Sequence, residues 1–336
     1  MKKIFLAFFA TVLLFLSACG GGDPVVYMSG FTINEDETEI NANYWKGEEV
    51  SNLPPSDVAI ANSIFADSDF TYISGAYDLD TGFKACYWTG DGTKVAITAP
   101  GGAASIATDI YVDGSDIYVS GVYNSGNDGS GYWKNKVFKI LEDTADSYVS
   151  SIYVKDGIVY AAGMVEDKAV YWKGTTKYEL STNMSFATSI EVSESGVVYV
   201  AGFDDGKAVY WKDKTLVVLT DGATFGFASS LDVVGEDVYV AGVYGDDFEN
   251  LAYWKNNAAG KVDLEITAPY VFGGPPVLNF FNIWGPSIQT DGTTVYVSSY
   301  LVEDPDDEPM FVGGLWKDGE LTVKEGYSYS SLFVRW

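Results

Sequence analysis

The chain has 336 residues, among them 36 Gly, 24 Tyr, 9 Trp and no His, and its 47 acidic against 20 basic side chains leave a net charge of −27. Without histidine there is no Ser-His-Asp or Cys-His catalysis and no histidine-ligated metal. The acidic balance excludes nucleic acid as a partner, because phosphates need a basic surface.

The first element is a leader. Lys2 and Lys3 precede an apolar run from Ile4 to Leu16. The run is short for a membrane span and has the layout of a secretory signal. It ends in Leu16-Ser17-Ala18-Cys19, which resembles the lipobox of bacterial lipoproteins. That resemblance implies cleavage before Cys19 and a lipid on its sulfur. Residues 1–18 are then the signal peptide, 19–24 the lipidated cysteine with its Gly-rich tether, and 25–336 the folded domain. Gly20, not Asp, follows the cysteine, which by the same resemblance favours the outer membrane over the inner one. Cys86 is the only other thiol, so no internal disulfide is expected. It replaces Val in an Ala-Val-Tyr-Trp phrase and reads as a small buried hydrophobe.

From Val25 onward one phrase recurs about every 40 residues, the signature of a repeat architecture. A strand of the form Val-Tyr-Val-Ala-Gly ends at Gly30, Gly75, Gly121, Gly163, Gly202 and Gly242, with Ser299 in the last copy. A polar loop follows, then a strand carrying Tyr44-Trp45, Tyr87-Trp88, Tyr132-Trp133, Tyr171-Trp172, Tyr210-Trp211, Tyr253-Trp254 and Leu315-Trp316. A short alternating run comes next, as in residues 137–141 and 216–219. Lys46, Lys134, Lys173, Lys212, Lys255 and Lys317 follow the tryptophan, which suits a strand end with a packed stem and a wet charge.

One more strand type, close to Ser-Ile-x-Val, begins at Ser63, Asp109, Ser151, Ser189, Ser230, Ser287 and Ser331. Every strand type therefore occurs seven times, but this one is out of phase. No copy precedes Val25, and one is left over at the end. An open ring would leave apolar faces and unpaired edges in water. The expected fold is all-β: a single seven-bladed β-propeller of four-stranded antiparallel blades, closed by the C-terminal strand pairing with the N-terminal blade. Apolar residues at both parities of each strand fit blades covered on both faces. Lipobox, tether and the repeated VYVAG/AVYWK phrases together resemble uncharacterised bacterial β-propeller lipoproteins. The resemblance covers nearly the whole chain and implies scaffold and anchor, but no activity.

Candidate sites fall in three places. Loops after the glycine strand are acidic: Glu35-Asp36-Glu37, Asp78-Leu79-Asp80, Glu166-Asp167, Asp204-Asp205, Asp246-Asp247 and a run from Glu303 to Glu308. They place carboxylates on one face, either for cations or a basic partner, with Asp204, Asp205, Asp246 and Asp247 as ligand-binding candidates, or as solvated turns. Asp78 and Asp80 are the candidates for calcium, the one cofactor in play, although the twelve-residue EF-hand pattern is absent.

The second place is the long connection from Ile266 to Pro286, with Tyr270, Phe272, Phe280, Phe281 and Trp284. It reads as a binding loop for sugar or peptide, or as a lid over the channel mouth. The third is the axis, faced by Phe65, Tyr111, Tyr153, Glu191, Asp232, Gln289 and Phe333. Glu191 and Asp232 fall in consecutive units and form a candidate catalytic carboxylate pair for glycoside chemistry. Three functions stay open: a non-enzymatic, lipid-anchored binding or assembly module, monomeric, with a protein or glycan ligand; a carbohydrate-active enzyme; and a purely structural envelope protein.

Overall fold

Each repeat folds into one antiparallel sheet, and seven such sheets make the blades of a ring. The computed structural model describes residues 24–33, 40–54, 58–67, 70–79, 82–124, 128–144, 146–267, 270–272, 278–279, 282–283, 285–303, 310–325 and 328–336. Blade 5 shows the plan. Its inner strand is Ser185–Val192, its second Val198–Asp204, its third Lys207–Lys212 and its outer Thr215–Val218. Cross-strand register pairs Val200 with Trp211 and Trp211 with Leu216.

Blade 1 is built from both ends of the domain. Val25–Ile33, Ile40–Lys46 and Glu49–Asn52 supply three strands, and Ser328–Arg335 supplies the inner one. Val25 pairs with Arg335, Tyr27 with Phe333 and Phe31 with Ser328. The expected closure is therefore what the chain adopts.

The seven repeat tryptophans are each at most 1% exposed. They stand between blades, where a large flat ring fills the gap between two sheets. The lysine that follows has a specific seat. Lys46, Lys134, Lys173, Lys212, Lys255 and Lys317 lie over the rings of Tyr27, Tyr118, Tyr160, Tyr199, Tyr239 and Tyr296, at 5.0–5.8 Å. Cross-strand register brings each pair together, as with Tyr199 opposite Lys212, and the contact adds cation–π attraction to the packing of the stem. Cys86 is fully buried, and burial pushes its thiol far above the usual range, as a packing role requires.

The repeat glycine of the second strand answers, in six blades, a bulge in the inner strand beside it. Register slips there in six blades, at Ser29/Gly30, Ala61/Ser63, Ala107/Asp109, Val149/Ser151, Ala187/Ser189 and Ala228/Ser230. The extra residue pushes a carbonyl toward the neighbouring strand. A Cβ at Gly30, Gly75, Gly121, Gly163, Gly202 or Gly242 would meet that oxygen at 1.8–2.3 Å.

Blade 7 departs from the plan. Its inner strand is only Ser287–Thr290, paired with Val295–Ser298 of the neighbouring strand. A further strand, Tyr270–Phe272, pairs with Leu301–Glu303. On the inner side neither piece pairs with Ser299 among the described residues, its register partner being Gly314 of the third strand, and there the sequence has Ser instead of Gly.

Candidate functional site: the axial channel and the loop faces

The bulge residues are Asn62, Thr108, Ser150, Thr188, Ser229 and Ser330, all short and polar. Each reaches across to the next blade. Asn62 Nδ2 donates to the Ala107 carbonyl, Thr108 Oγ1 to Val149, Ser150 Oγ to Ala187, Thr188 Oγ1 to Ala228 and Ser330 Oγ to Ala61, at 2.6–2.9 Å. Ser229 donates to Pro286. The circuit stops at blade 7, where Pro286 has no side-chain donor to pass on.

One residue further along, a second ring runs in the opposite sense. The Oγ atoms of Ser151, Ser189, Ser230 and Ser287 accept the N–H of Ile190, Leu231, Ile288 and Leu332 in the following blade, at 3.3–3.4 Å. Asp109 replaces the serine in blade 3. Its carboxylate accepts from Ser63 Oγ at 2.6 Å and Ser151 Oγ at 2.9 Å, and from the N–H groups of Ile110 and Ile152 at 2.8 and 2.9 Å. Burial raises its pKa, and the four hydrogen bonds oppose the rise. These two rings line an axial cavity of about 110 Å³.

The third layer is split. On one side Phe333, Phe65, Tyr111 and Tyr153 pack in sequence, with ring centroids 5.3, 5.4 and 4.8 Å apart. On the other side stand Glu191, Asp232 and Gln289. Glu191 Oε2 accepts the Val233 N–H at 2.9 Å, and Asp232 Oδ1 accepts the same N–H at 3.1 Å. Asp232 Oδ2 accepts from Thr290 N–H in blade 7. The two carboxyls are thus neighbours, held at one shared donor. They lie deep in the ring, with part of their surface open to the channel.

Burial, then the charge of Asp232, pushes Glu191 well above the usual carboxylate range. Burial pushes Asp232 up to about 6, against its two backbone hydrogen bonds. Both folded values lie above the unfolded ones, so the folded ring holds protons that the unfolded chain releases. Stability from these groups is full below pH about 4 and is lost as pH rises through 6 and beyond. Raising Asp232 from 3.8 to about 6 costs on the order of 2–3 kcal/mol at neutral pH. Glu191→Gln keeps an oxygen for Val233 and removes the proton-dependent charge. It is expected to raise the melting temperature by a few degrees at pH 8 and to flatten its fall between pH 5 and pH 8. Identical pH profiles for the two proteins would show that the pair is not strained.

The loop candidates differ in exposure. Asp205, Asp246 and Asp247 are exposed. Asp204 is buried and accepts from Ser181 Oγ and Asn183 Nδ2, so it belongs to the wall between blades and not to a solvated ring. Acidity is not confined to this face. The hairpin turns at the other end carry exposed Asp113, Asp156, Glu194, Glu236 and Asp291. Asp78 is half-buried and Asp80 lies outside the described residues. No group of three potential metal ligands occurs among the described residues. Tyr270 packs against the core between blades 6 and 7, and Phe272 sits on the strand that pairs with Leu301. Phe280, Phe281, Trp284, Cys19 and Glu35 to Glu37 lie outside the described residues.

Sequence reasoning missed the hydroxyl circuits. Their signal was present as a recurring polar pair, Asn62-Ser63, Thr108-Asp109, Ser150-Ser151, Thr188-Ser189, Ser229-Ser230 and Ser330-Ser331.

Ring, closure and interlocked axis define a seven-bladed β-propeller. No protein-family model and no curated protein matches the chain. Among solved structures it is similar to a puromycin-hydrolyzing peptidase of Mycobacterium tuberculosis, with a TM-score of 0.57 and 13% identity over 89% of this chain and 53% of the other. The chain thus spans about half the length of that peptidase. It is also similar to the computationally designed Ika8 protein, with a TM-score of 0.44 and 16% identity over 89% and 96% of the two chains. A protein of unknown function from Bacteroides caccae gives a TM-score of 0.43 and 17% identity, over 72% and 94%. At such identities the likeness is one of fold alone.

Proposed function

We propose that the protein is a lipid-anchored β-propeller of the bacterial envelope that binds or assembles with a partner and carries out no catalysis. One observation carries the non-enzymatic part. The acidic groups at the axis are committed to joining blades: Asp109 accepts four hydrogen bonds, and Glu191 and Asp232 accept main-chain N–H groups of the following blades. Such carboxylates act as ties in the ring. The exposed loop tips, Asp205, Asp246 and Asp247 among them, are left as the surface for a partner. The anchor rests on Leu16-Ser17-Ala18-Cys19, which precedes every strand of the ring.

The whole chain, produced in a Gram-negative host, should fractionate with the outer membrane and take up labelled fatty acid. Cys19→Ser should lose the label and appear in the soluble fraction. Used as bait on its own envelope extract, the protein should retain a partner unchanged over hours. A soluble wild type, or an empty bait, would defeat the proposal.

The adjacency of Glu191 and Asp232, the first pushed well above the usual carboxylate range by burial and by the charge of the second, and the second pushed up to about 6 by burial, favours one second reading, a glycan-cleaving enzyme. Release of reducing sugar from a captured glycan, lost in Glu191→Gln, would establish it.

A further inference from the structure

Blade 5 lacks a tyrosine that three other blades carry. Two residues beyond the repeat glycine, blades 2, 3 and 6 carry Tyr77, Tyr123 and Tyr244. Each tyrosine covers the outer part of its own blade. Tyr77 lies under Lys94 at 3.6 Å, Tyr123 meets Phe138 edge-on at 5.3 Å, and Tyr244 lies under Lys261 at 4.3 Å. Blade 5 has Asp204 in this place. The smaller side chain leaves a cleft of about 510 Å³ between blades 4 and 5, with Leu180, Trp211, Leu216, Lys214 and Glu179 among its lining.

Two polar groups in this cleft are underused. Asp204 is 5% exposed. It accepts from Ser181 Oγ and, at 3.3 Å, from Asn183 Nδ2, and forms no ion pair among the described residues. A carboxylate has about four lone-pair sites, so it can take further donors.

The second group is the Trp211 indole N–H, which is buried and has no acceptor. In blades 2, 3 and 7 the same N–H is satisfied. Trp88, Trp133 and Trp316 donate to the carbonyls of Pro54, Thr98 and Glu265, at 3.2, 2.9 and 3.1 Å. Each acceptor is the second residue after the outer strand of the preceding blade. The counterpart in blade 5 is Ser181, whose carbonyl does not take the Trp211 N–H and whose hydroxyl donates to Asp204. Trp172 and Trp254 also lack an acceptor, but Val165 and Tyr244 stand where Asp204 does, so those blades have no carboxylate to match.

These needs select the ligand chemistry. The indole wants a lone pair and the carboxylate wants a proton donor. An ammonium has no lone pair to offer the indole, and an anion would be repelled by Asp204. A hydroxyl supplies both at once. Leu180 and Leu216 add apolar surface for a ring face, and the volume is in the usual range for small-ligand sites, roughly 300–1,000 Å³. We propose that the cleft between blades 4 and 5 is a binding site for a neutral pyranose sugar, whose hydroxyls bridge Asp204 and the Trp211 indole. This rests on the binding-module reading and gives it a ligand class and an address.

Neutral trisaccharides of glucose, mannose, galactose and N-acetylglucosamine, titrated against the whole chain with saturation-transfer NMR as readout, test the site. At least one is expected to bind. Asp204→Tyr, which installs the side chain blades 2, 3 and 6 already tolerate, should weaken binding by about tenfold or more. Leu216→Trp should do the same from a position 43% exposed, where the fold is not at stake. No binding of any trisaccharide at about 10 mM would overturn the site. Binding unaffected by either variant would also overturn it while leaving the module reading standing. Capture of n-butylamine, abolished in Asp204→Tyr, would replace the sugar with a cation.

Discussion

Removing Ser328–Trp336 is expected to abolish the single cooperative melt of the ring. The segment contains the inner strand of blade 1. It buries Tyr329, Leu332 and Val334 to 3–4% exposure. At about 1.5–3 kcal/mol for each large apolar side chain, these three contribute roughly 5–9 kcal/mol before the backbone ladder is counted. A domain has only about 5–15 kcal/mol in total. The loss also opens an edge along Val25–Phe31 and frees the Ala61 carbonyl that Ser330 holds. Thermal unfolding followed by tryptophan fluorescence reads the outcome. Removing the six residues 19–24 should leave the melt in place, and adding the 328–336 peptide to the truncated chain should restore it. A truncated protein that melts within a degree or two of the intact one would mean that the ring does not depend on its closure.

Gly163→Ala is expected to destabilise the protein by about 3 kcal/mol or more, read as a lower midpoint in urea with the slope preserved. One methyl group has this effect because its Cβ would stand 1.8 Å from the Tyr148 carbonyl oxygen and 3.0 Å from the Val149 Cα. Both atoms are backbone, held by the bulge at Ser150, which is itself tied to the Ala187 carbonyl of the next blade at 2.7 Å. Relief would require breaking the interlock between blades 4 and 5. The matched control is Ser299→Gly in blade 7, where the inner strand is divided. It should cost less than about 1 kcal/mol, the entropy of an added glycine. Equal effects at the two positions would remove the bulge as the reason for the repeat glycine.

The number of blades, the order of strands, the closure and the burial of the tryptophans were all legible in the chain. Each depends on local phrases that can be counted. The leftover copy at Ser331 disclosed closure because a strand type must occur once in every blade. The lysine after each tryptophan was legible as a strand-end residue, but not its seat over the tyrosine, which needs the register of Tyr199 against Lys212. The candidate site was legible only as residue types. That Glu191 and Asp232 fall in consecutive blades followed from the repeat. That they meet at one N–H, that of Val233, did not.

Asp204 shows the same limit from the other side. In the sequence it is half of an acidic pair in a polar turn, as Asp246-Asp247 is in the next repeat. In the fold it is the last residue of its strand and turns inward to Ser181, while Asp205 turns out. Alternation of side chains along a strand decides this, and a shift of one residue reverses it.

A closed ring of seven four-stranded blades is written in the repeats, since burial on both faces and the need to leave no free edge act on every repeat alike. The tertiary structure alone decided how the blades lock at the axis, that Tyr270–Phe272 joins blade 7 as an extra strand, and that blade 5 opens a cleft over Trp211. The physical reason is distance along the chain. Those features depend on hydrogen bonds of about 3 Å between residues in different repeats. A one-residue bulge or a Tyr replaced by Asp is enough to make or lose them, while the periodic pattern that builds the blades is unchanged.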